Sequence, residues 1–333
     1  MESPGTSHAQ SESPRLSPLG IGSALGAPSD DEDSAYATAL RRALELGLNH
    51  IDTAINFRCQ RSERLIGKVL RDGAANGAKV FVTTKGGYLP LESPPPQSKA
   101  EYRAYIEREY LDSGIVEATA LVAGGHCISP RFLRDQVERS SANLGVGAID
   151  IYYIHNPEQQ LDAVAREEFD ARMRDAFAEL ESCVDDGLIS SYGCATWDGL
   201  RVPKSAQNHL SIETLVRIAH DIAGDDHHMM AFQMPISLGM MEGVRVATQL
   251  VNSRERTSLE AADELGVAMI AVAPLMQGRL VLDLPAAARD AFPEAETDAA
   301  CALSFVRMVP HVASIVVGMR SVKHVEENVA LFA

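Results

Sequence analysis

Short apolar segments alternate along this chain with longer segments in which apolar residues recur every three or four positions. The short segments are typical of buried strands, and the longer period is typical of amphipathic helices. The predicted strands are LGIG (19–22), NHID (49–52), KVFVTT (79–84), IDIYYI (149–154), ISSYGC (189–194), MAFQMP (230–235), VAMIAV (267–272) and VASIVV (312–317). The predicted helices include SAYATALRRALELG, RFLRDQVERSSANLG, RMRDAFAELESCVDDG and RTSLEAADELG, each closed by a glycine.

This alternation predicts an α/β fold of the (β/α)8 TIM barrel type, with long loops at the carboxyl ends of the strands. An open, doubly wound sheet is the alternative. Residues 14–333 are expected to form this single barrel domain, and residues 1–13, rich in Ser and Pro, a disordered tail. Two insertions, residues 86–129 and 237–252, follow the third and sixth strands. Barrel active sites lie on that side, so both insertions are expected to border the site.

The composition narrows the class of partner. The chain has 30 Lys and Arg against 46 Asp and Glu, a net charge of −16, which argues against nucleic acid or an anionic membrane as partner. No apolar run reaches membrane-spanning length, and the first residues do not resemble a signal peptide. The five cysteines are widely spaced and include no CxxC, which indicates reduced thiols and a cytoplasmic location. A small-molecule substrate is therefore expected, and the chain is either a monomer or a homo-oligomer.

Three ionisable residues, Asp52, Lys85 and His155, lie at the ends of three consecutive predicted strands. Each has an ordinary structural explanation by itself, as a helix cap, a solvated lysine or a turn residue. In a barrel, however, these strand ends converge on one pocket, so together they predict an active site. The DDHH run (225–228) is a weak metal candidate because no further ligand set accompanies it, and no metal site is predicted.

Several longer motifs resemble the aldo-keto reductase family from about Pro18 onward. They are GLNHIDTAINFRCQRSERLIGKVL, KVFVTTKGGY, LRDQVERSSANLGVGAIDIYYIHNPE, LISSYGCATW, AFQMPISL, APLMQGRL and SIVVGMRSVKHVEENVAL, in that order. The resemblance implies a TIM barrel without a Rossmann domain, and an NADPH-dependent oxidoreductase acting on a small carbonyl or related substrate. Specialised metabolism is one setting for such an enzyme.

The resemblance assigns catalytic roles residue by residue. Asp52 matches the aspartate that orients the catalytic lysine, and Lys85 matches the lysine that lowers the tyrosine pKa. His155 matches the histidine that positions the substrate oxygen. The position of the catalytic tyrosine is occupied by Phe57, which has no hydroxyl to donate.

The resemblance also implies a set of NADPH-binding residues. They are Gly22, Ser23, Thr196, Gln233, Leu275, Gln277, Gly278, Gly318, Arg320, Ser321, Glu327 and Asn328. Arg320 and Ser321, at the start of the last helix, suit a 2′-phosphate and favour NADPH over NADH. Two positions depart from the family pattern. The usual Ser-Asn pair on the fifth strand is Ala195-Thr196, and the tyrosine that stacks on nicotinamide is Ile236.

The missing hydroxyl at Phe57 is the main departure, because a positioned general acid contributes roughly 10²–10⁴ in rate. The chain is either an engineered Tyr-to-Phe variant, or a natural paralogue whose acid is His155, Tyr88, Lys85 or the substrate, or a protein that has left carbonyl reduction. The last case covers a non-redox barrel enzyme (isomerase, dehydratase or cyclase) and a cofactor-binding, non-catalytic homologue.

The further changes at Ala195, Ile236 and Ser237 favour natural divergence, since a single engineered substitution does not account for them.

Overall fold

Ten strands are present in the computed structural model, which describes residues 16–282 and 284–333. They are β1 (Leu19–Gly22), β2 (His50–Asp52), β3 (Phe81–Gly86), β4 (Ile151–His155), β5 (Tyr192–Ala195), β6 (Met229–Pro235), β7 (Gln249–Val251), β8 (Arg254–Arg256), β9 (Ala268–Val272) and β10 (Val312–Gly318). All but β7 and β8 pair in parallel and close a barrel in the order β1-β10-β9-β6-β5-β4-β3-β2. The predicted TIM barrel is confirmed and the open sheet is wrong. The predicted tail, residues 1–13, lies outside the described residues.

Helices surround the barrel and cover its outer face. They are α1 (Asp30–Glu45), α2 (Arg61–Arg71), α3 (Lys99–Ile106), α4 (Pro130–Leu144), α5 (Arg166–Asp185), α6 (Ile212–Ala223), α7 (Glu242–Arg245), α8 (Ser258–Glu264), α9 (Ala286–Asp290), α10 (Asp298–Arg307) and α11 (Val322–Phe332). The main hydrophobic core lies between these helices and the strands. None of the helices in the described part of the chain is both long and apolar enough to cross a membrane.

The strand bounds differ from the predicted ones mainly at β3. The apolar run predicted a strand over residues 79–84, whereas β3 covers Phe81–Gly86 and includes Lys85. The strand continues because Lys85 pairs with Tyr153 and Gly86 pairs with Ile154 of β4. Backbone pairing in the barrel therefore determines where this strand ends, and it fixes the backbone of Lys85 within the sheet.

The first insertion, residues 86–129, folds into a small subdomain with its own core. It contains α3, a π-helical turn (Glu107–Leu111) and a short 3-10 turn (Ala118–Ala120). Apolar side chains including Leu89, Ile106, Tyr110 and Cys127 form a separate buried cluster. The second insertion contains α7 and leads into the antiparallel hairpin β7–β8, which the sequence pattern did not predict.

Candidate active site

A buried ion pair lies at the carboxyl ends of β2 and β3. Lys85 Nζ donates to Asp52 Oδ2 at 2.7 Å, to Asp52 Oδ1 at 2.8 Å and to the Thr53 carbonyl at 2.8 Å. The two side chains are only 4% and 5% exposed, so water screens their attraction weakly. Burial lowers the pKa of Lys85, and the Asp52 carboxylate opposes part of that shift. The predicted Asp52–Lys85 pair is confirmed.

Two further donors hold the Asp52 carboxylate. Thr83 Oγ1 donates to Asp52 Oδ1 at 2.8 Å, and Gln233 Nε2 donates to the same oxygen at 2.9 Å across the barrel. Gln233 Oε1 makes no hydrogen bond within the described residues. The predicted nicotinamide ligand therefore keeps a free acceptor while its amide nitrogen fixes the ion pair.

A polar column continues from Asp52 into the barrel interior. Thr83 Oγ1 lies 3.3 Å from His50 Nε2, and His50 Nδ1 lies 2.8 Å from Ser314 Oγ of β10. A side chain at Gly20 would overlap the His50 ring, since a Cβ there would lie 2.6 Å from Nδ1. Burial lowers the pKa of His50 to about 4, so the imidazole is neutral at physiological pH.

Phe57 is held by a turn with an unusual backbone. The following residues Arg58, Cys59 and Gln60 all have positive φ values of 51°, 56° and 65°. Such conformations are costly for residues with a side chain and persist only where surrounding contacts fix them. Here the buried Arg58 donates to the Ala27 carbonyl at 3.0 Å and to Asp33 at 2.5 Å. These contacts fix the turn and with it the backbone beside Phe57.

The Phe57 ring contacts both catalytic candidates. Lys85 Nζ lies 5.5 Å from its centroid, and its edge meets the His155 ring at a centroid distance of 5.9 Å. Asp52, Lys85, His155 and Phe57 thus meet at one end of the barrel, as the sequence predicted.

His155, the last residue of β4, is neutral in this environment. Burial lowers the pKa of His155 well below its usual value, and the charge of Lys85 lowers it further. Its Nδ1 atom is buried and has no hydrogen-bond partner within the described residues. A neutral imidazole donates one hydrogen bond but is not a source of a readily released proton.

The first insertion supplies two neighbours of His155, namely Tyr88, which the sequence offered as a candidate acid, and His126, which it did not indicate. His126 Nε2 donates to the His155 carbonyl at 2.8 Å, and Gln160 Nε2 donates to His126 Nδ1 at 2.8 Å. The Tyr88 ring stands perpendicular to the His155 ring, with centroids 5.0 Å apart. Asn156 Nδ2 donates to the Tyr88 hydroxyl oxygen at 2.8 Å. Only the return of the insertion to the barrel brings His126 here, so no local sequence signal indicated it.

Thr196, which follows the fifth strand and is predicted to bind the nicotinamide, already makes hydrogen bonds within the protein. Thr196 Oγ1 donates to Glu158 at 2.6 Å and accepts from the Gly199 backbone N–H at 2.9 Å. Its only proton is therefore used, and an acceptor lone pair remains. Ile236, at the position of the stacking tyrosine, is fully buried.

The predicted phosphate end lies around the start of α11. The Ser321 side chain caps this helix by accepting from the His324 backbone N–H at 3.2 Å. Gln277 and Gly278 have positive φ values in the turn after β9, and Leu275 precedes them. The Gly278 backbone N–H donates to the Leu275 carbonyl at 2.9 Å, so it is used within this turn.

The remaining predicted cofactor residues lie at the ends of β1 and β10 and on α11. Gly318 ends β10, and Gly22 ends the neighbouring strand β1. Ser23 follows β1 and donates its hydroxyl to Thr53 at 2.9 Å. On α11, Glu327 pairs with Lys323 at 3.6 Å and Asn328 is buried.

Arg320 is not free in this structure. Its guanidinium is ion-paired with Glu32 in the first turn of α1. Glu32 is mostly buried, its second carboxylate oxygen has no hydrogen-bond partner among the described residues, and Gly26 packs against it. A carboxylate on Arg320 is a competitor for any phosphate that binds there.

No group of three or more potential metal ligands is found in the described ranges, 16–282 and 284–333. In the DDHH run, His228 pairs instead with Glu181 at 2.7 Å, and His227 Nδ1 is buried without a partner among these residues. Cys59 is half-buried, and burial raises the pKa of its thiol, which disfavours the reactive thiolate.

The sequence model of the Aldo/keto reductase family matches residues 18–219, more than half of the chain. The chain belongs to the aldo/keto reductase family. An uncharacterised oxidoreductase of Schizosaccharomyces pombe is 25% identical over 304 residues, which is 90% of this chain and 74% of that protein. A D-threo-aldose 1-dehydrogenase of a Pseudomonas species is 25% identical over 182 residues, 52% of this chain and 46% of that protein.

Solved aldo-keto reductases share the fold. One from Bacillus halodurans, in a holo form, superposes with a TM-score of 0.63 and 20% identity, over 95% of this chain and 86% of that one. One from Klebsiella pneumoniae, in complex with NADP and acetate, gives a TM-score of 0.62 and 18% identity, over 95% and 85%. At these identities the likeness concerns the aldo/keto reductase fold.

Removing one member of the buried ion pair should destabilise the protein. We expect Lys85→Met to lower the free energy of unfolding by about 3 kcal/mol, because Asp52 is left charged and buried with only Thr83 and Gln233 as donors. Phe57→Leu, which removes no charge from the same pocket, should cost less. Urea denaturation of both variants measures this, and a larger loss in Phe57→Leu would contradict it.

The buried histidines should make stability depend on pH. Burial lowers the pKa of His50 and of His126 from 6.5 to about 4, so the unfolded chain binds more protons between these values. Stability should be complete above pH about 6.5 and fall by roughly 3 kcal/mol per histidine as the pH decreases to about 4. The slope should be shallower in His50→Gln and unchanged in a variant of the exposed His324, and urea denaturation across this range measures it.

Proposed function

We propose that this protein is an NADPH-dependent oxidoreductase that acts on a small carbonyl compound or the corresponding alcohol. The observation that carries the proposal is the buried Asp52–Lys85 pair, tied to Gln233 and adjacent to His155 at the carboxyl end of the barrel. A charged lysine kept in a nearly dry pocket acts on a developing negative charge far more strongly than one in water. The oxidoreductase names of relatives favour this proposal over a non-redox barrel enzyme.

The residues present suit a nicotinamide dinucleotide. Among the described residues the Gln233 carboxamide oxygen has no hydrogen-bond donor, and such an oxygen is the acceptor that a nicotinamide amide group requires. The start of α11, capped by Ser321, has backbone N–H groups that a phosphate can bind, and Arg320 directly precedes it in an ion pair with Glu32. NADPH would be held by these groups and would supply the hydride.

The proposal requires a proton source other than position 57. Phe57 has no proton to give, and all three Lys85 N–H groups are used by Asp52 and Thr53. We therefore place the protein among oxidoreductases in which the electrostatic part of the site is kept and the ordinary acid is lost. Slow turnover on common carbonyls is expected.

A nucleotide titration followed by a turnover assay tests the proposal. Trp197 is the only tryptophan of the chain, directly follows Thr196 and is 41% exposed, so its fluorescence reports nucleotide binding at this end of the barrel. NADPH should change that fluorescence saturably and be consumed slowly with reactive aldehydes. Saturable binding without consumption on a broad carbonyl panel would favour a cofactor-binding, non-catalytic homologue, and absence of binding would refute the proposal.

NADPH should bind more tightly than NADH, because Arg320, beside the capped start of α11, can pair with a 2′-phosphate once it releases Glu32. A charge-assisted contact contributes about 1.5–3 kcal/mol, or roughly ten- to a hundredfold in the dissociation constant. Arg320→Ala should remove this preference. Glu32→Gln should strengthen NADPH binding a few-fold, since it removes the competing partner of an exposed arginine. Trp197 fluorescence titration gives these constants, and equal constants for both nucleotides in the unmodified protein would contradict the expectation.

Phe57→Tyr should create or raise carbonyl reductase activity by roughly 10² or more. The new hydroxyl would extend from a ring that already lies between Lys85 and His155, and the lysine charge would lower the pKa of the phenol. NADPH consumption with aromatic aldehydes measures the gain, and Phe57→Leu is the control for a changed ring. Unchanged activity in Phe57→Tyr with NADPH still bound would show that the pocket differs by more than one hydroxyl.

A further inference from the structure

We infer that Tyr88 supplies the proton that Phe57 cannot, acting as the general acid toward the oxygen of a bound carbonyl compound. This inference rests on the proposed function and adds a residue to it. It follows from three observations. The Tyr88 ring contacts His155, its hydroxyl proton makes no hydrogen bond in the described part of the chain, and the other polar groups beside the pocket are hydrogen-bonded, neutral or fully buried.

The position of Tyr88 is fixed by the insertion. The backbone on either side pairs with the returning segment, since Leu89 N donates to the Gly125 carbonyl at 2.8 Å and Cys127 N donates to the Gly87 carbonyl at 2.8 Å. The Tyr88 carbonyl accepts from Gln136 Nε2 at 2.8 Å. A group held in this way is pre-organised for contact with a ligand.

The chain approaches itself so closely before Tyr88 that only glycine fits. Gly87 has a φ of 136°, and a Cβ there would lie 3.1 Å from the His155 carbonyl and 3.1 Å from His126 Nε2. Beyond this glycine, the Tyr88 ring contacts both histidine rings, at centroid distances of 5.0 Å from each. Tyr88 therefore lies against the side of His155 that is covered by the insertion.

The hydroxyl of Tyr88 has a proton to donate. Its oxygen accepts from Asn156 Nδ2, and its own O–H donates to no group in the described part of the chain. Burial raises the pKa of this phenol, and the Asn156 hydrogen bond opposes that shift. The phenol therefore stays protonated through neutral pH, and the Asn156 amide would stabilise the phenolate that remains after transfer.

The other polar groups beside the pocket do not offer such a proton. Lys85 has each N–H bonded, His155 is neutral, and the His126 N–H is used by the His155 carbonyl. The Tyr153 hydroxyl has no hydrogen-bond partner among the described residues, but it is fully buried, so a substrate that enters from solvent does not reach it. Tyr88 is thus the half-buried phenol that contacts His155 and still holds a free O–H.

The reaction balances with Tyr88 as the acid. As the carbonyl carbon accepts a hydride, its π electrons move onto oxygen, which takes the proton of Tyr88 while the phenol O–H bond breaks. The phenolate then regains a proton from water. A phenol remains a much stronger acid than an alcohol even when burial raises its pKa, so the transfer to the developing alkoxide is downhill.

Tyr88→Phe tests this assignment, with Tyr105→Phe as the matched control. Tyr105 lies in the same insertion, and its hydroxyl donates to the Pro90 carbonyl instead of facing His155. With NADPH and 4-nitrobenzaldehyde, Tyr88→Phe should lower kcat roughly a hundredfold and leave the NADPH dissociation constant unchanged. Phe57→Tyr should raise kcat by a larger factor in Tyr88→Phe than in the unmodified protein, because the new phenol replaces the lost one. A merely structural role of Tyr88 would give equal factors in the two backgrounds. Tyr105→Phe should retain the kcat of the unmodified protein.

Aldehyde binding in the presence of NADP⁺ gives a measurement that needs no turnover. Tyr88→Phe should weaken the affinity for 4-nitrobenzaldehyde about two- to tenfold through loss of one hydrogen bond. Unchanged kcat and aldehyde affinity in Tyr88→Phe would overturn the assignment and leave the proposed function intact. Turnover in Phe57→Tyr but none in the unmodified protein would also overturn the assignment of Tyr88 and leave the proposed function intact. Absence of NADPH binding in every variant would instead overturn the proposed function, and this inference with it.

Discussion

The buried pair of Asp52 and Lys85 is the interaction on which the candidate site depends. Neither charge is tolerable alone in a pocket that excludes most water, so each requires the other. Strand β3 extends past its apolar run to place Lys85, and Gln233 reaches across the barrel to Asp52. Thr83 donates a hydrogen bond to the Asp52 carboxylate, and His50 in turn contacts Thr83.

The Asp52–Lys85 pair is present although position 57 has no phenol. The proposed site can therefore be divided into an electrostatic part and a proton-donating part. The electrostatic part, which in the proposed function would stabilise charge on a substrate oxygen, is the Asp52–Lys85 pair at the strand ends. The proton-donating part is missing from its usual turn, although the strained backbone after Phe57 is still held by Arg58. A phenol on the neighbouring insertion is the group that fits the missing role by position and protonation.

The end of the barrel proposed to bind the cofactor also keeps its predicted residues, but some of them are engaged by other side chains. Two residues proposed to bind the cofactor already make contacts within the protein: Arg320 is ion-paired with Glu32, and Thr196 is hydrogen-bonded to Glu158. Both contacts bring a carboxylate close to a predicted cofactor ligand. A nucleotide bound as proposed would have to replace the first contact and accommodate the second, so it would compete with contacts within the chain.

The sequence by itself determined the barrel, the order of its strands and the residues at three strand ends. Strand and helix periods are local, and parallel strand ends must converge, so Asp52, Lys85 and His155 could be placed in advance. The tertiary structure alone decided what surrounds them. The sequence named Tyr88 as a candidate neighbour, but His126 meets His155 only because a long insertion folds on its own core and returns, and Glu32 meets Arg320 across 288 positions of the chain. Such contacts depend on how distant segments pack, which no local pattern of residues encodes.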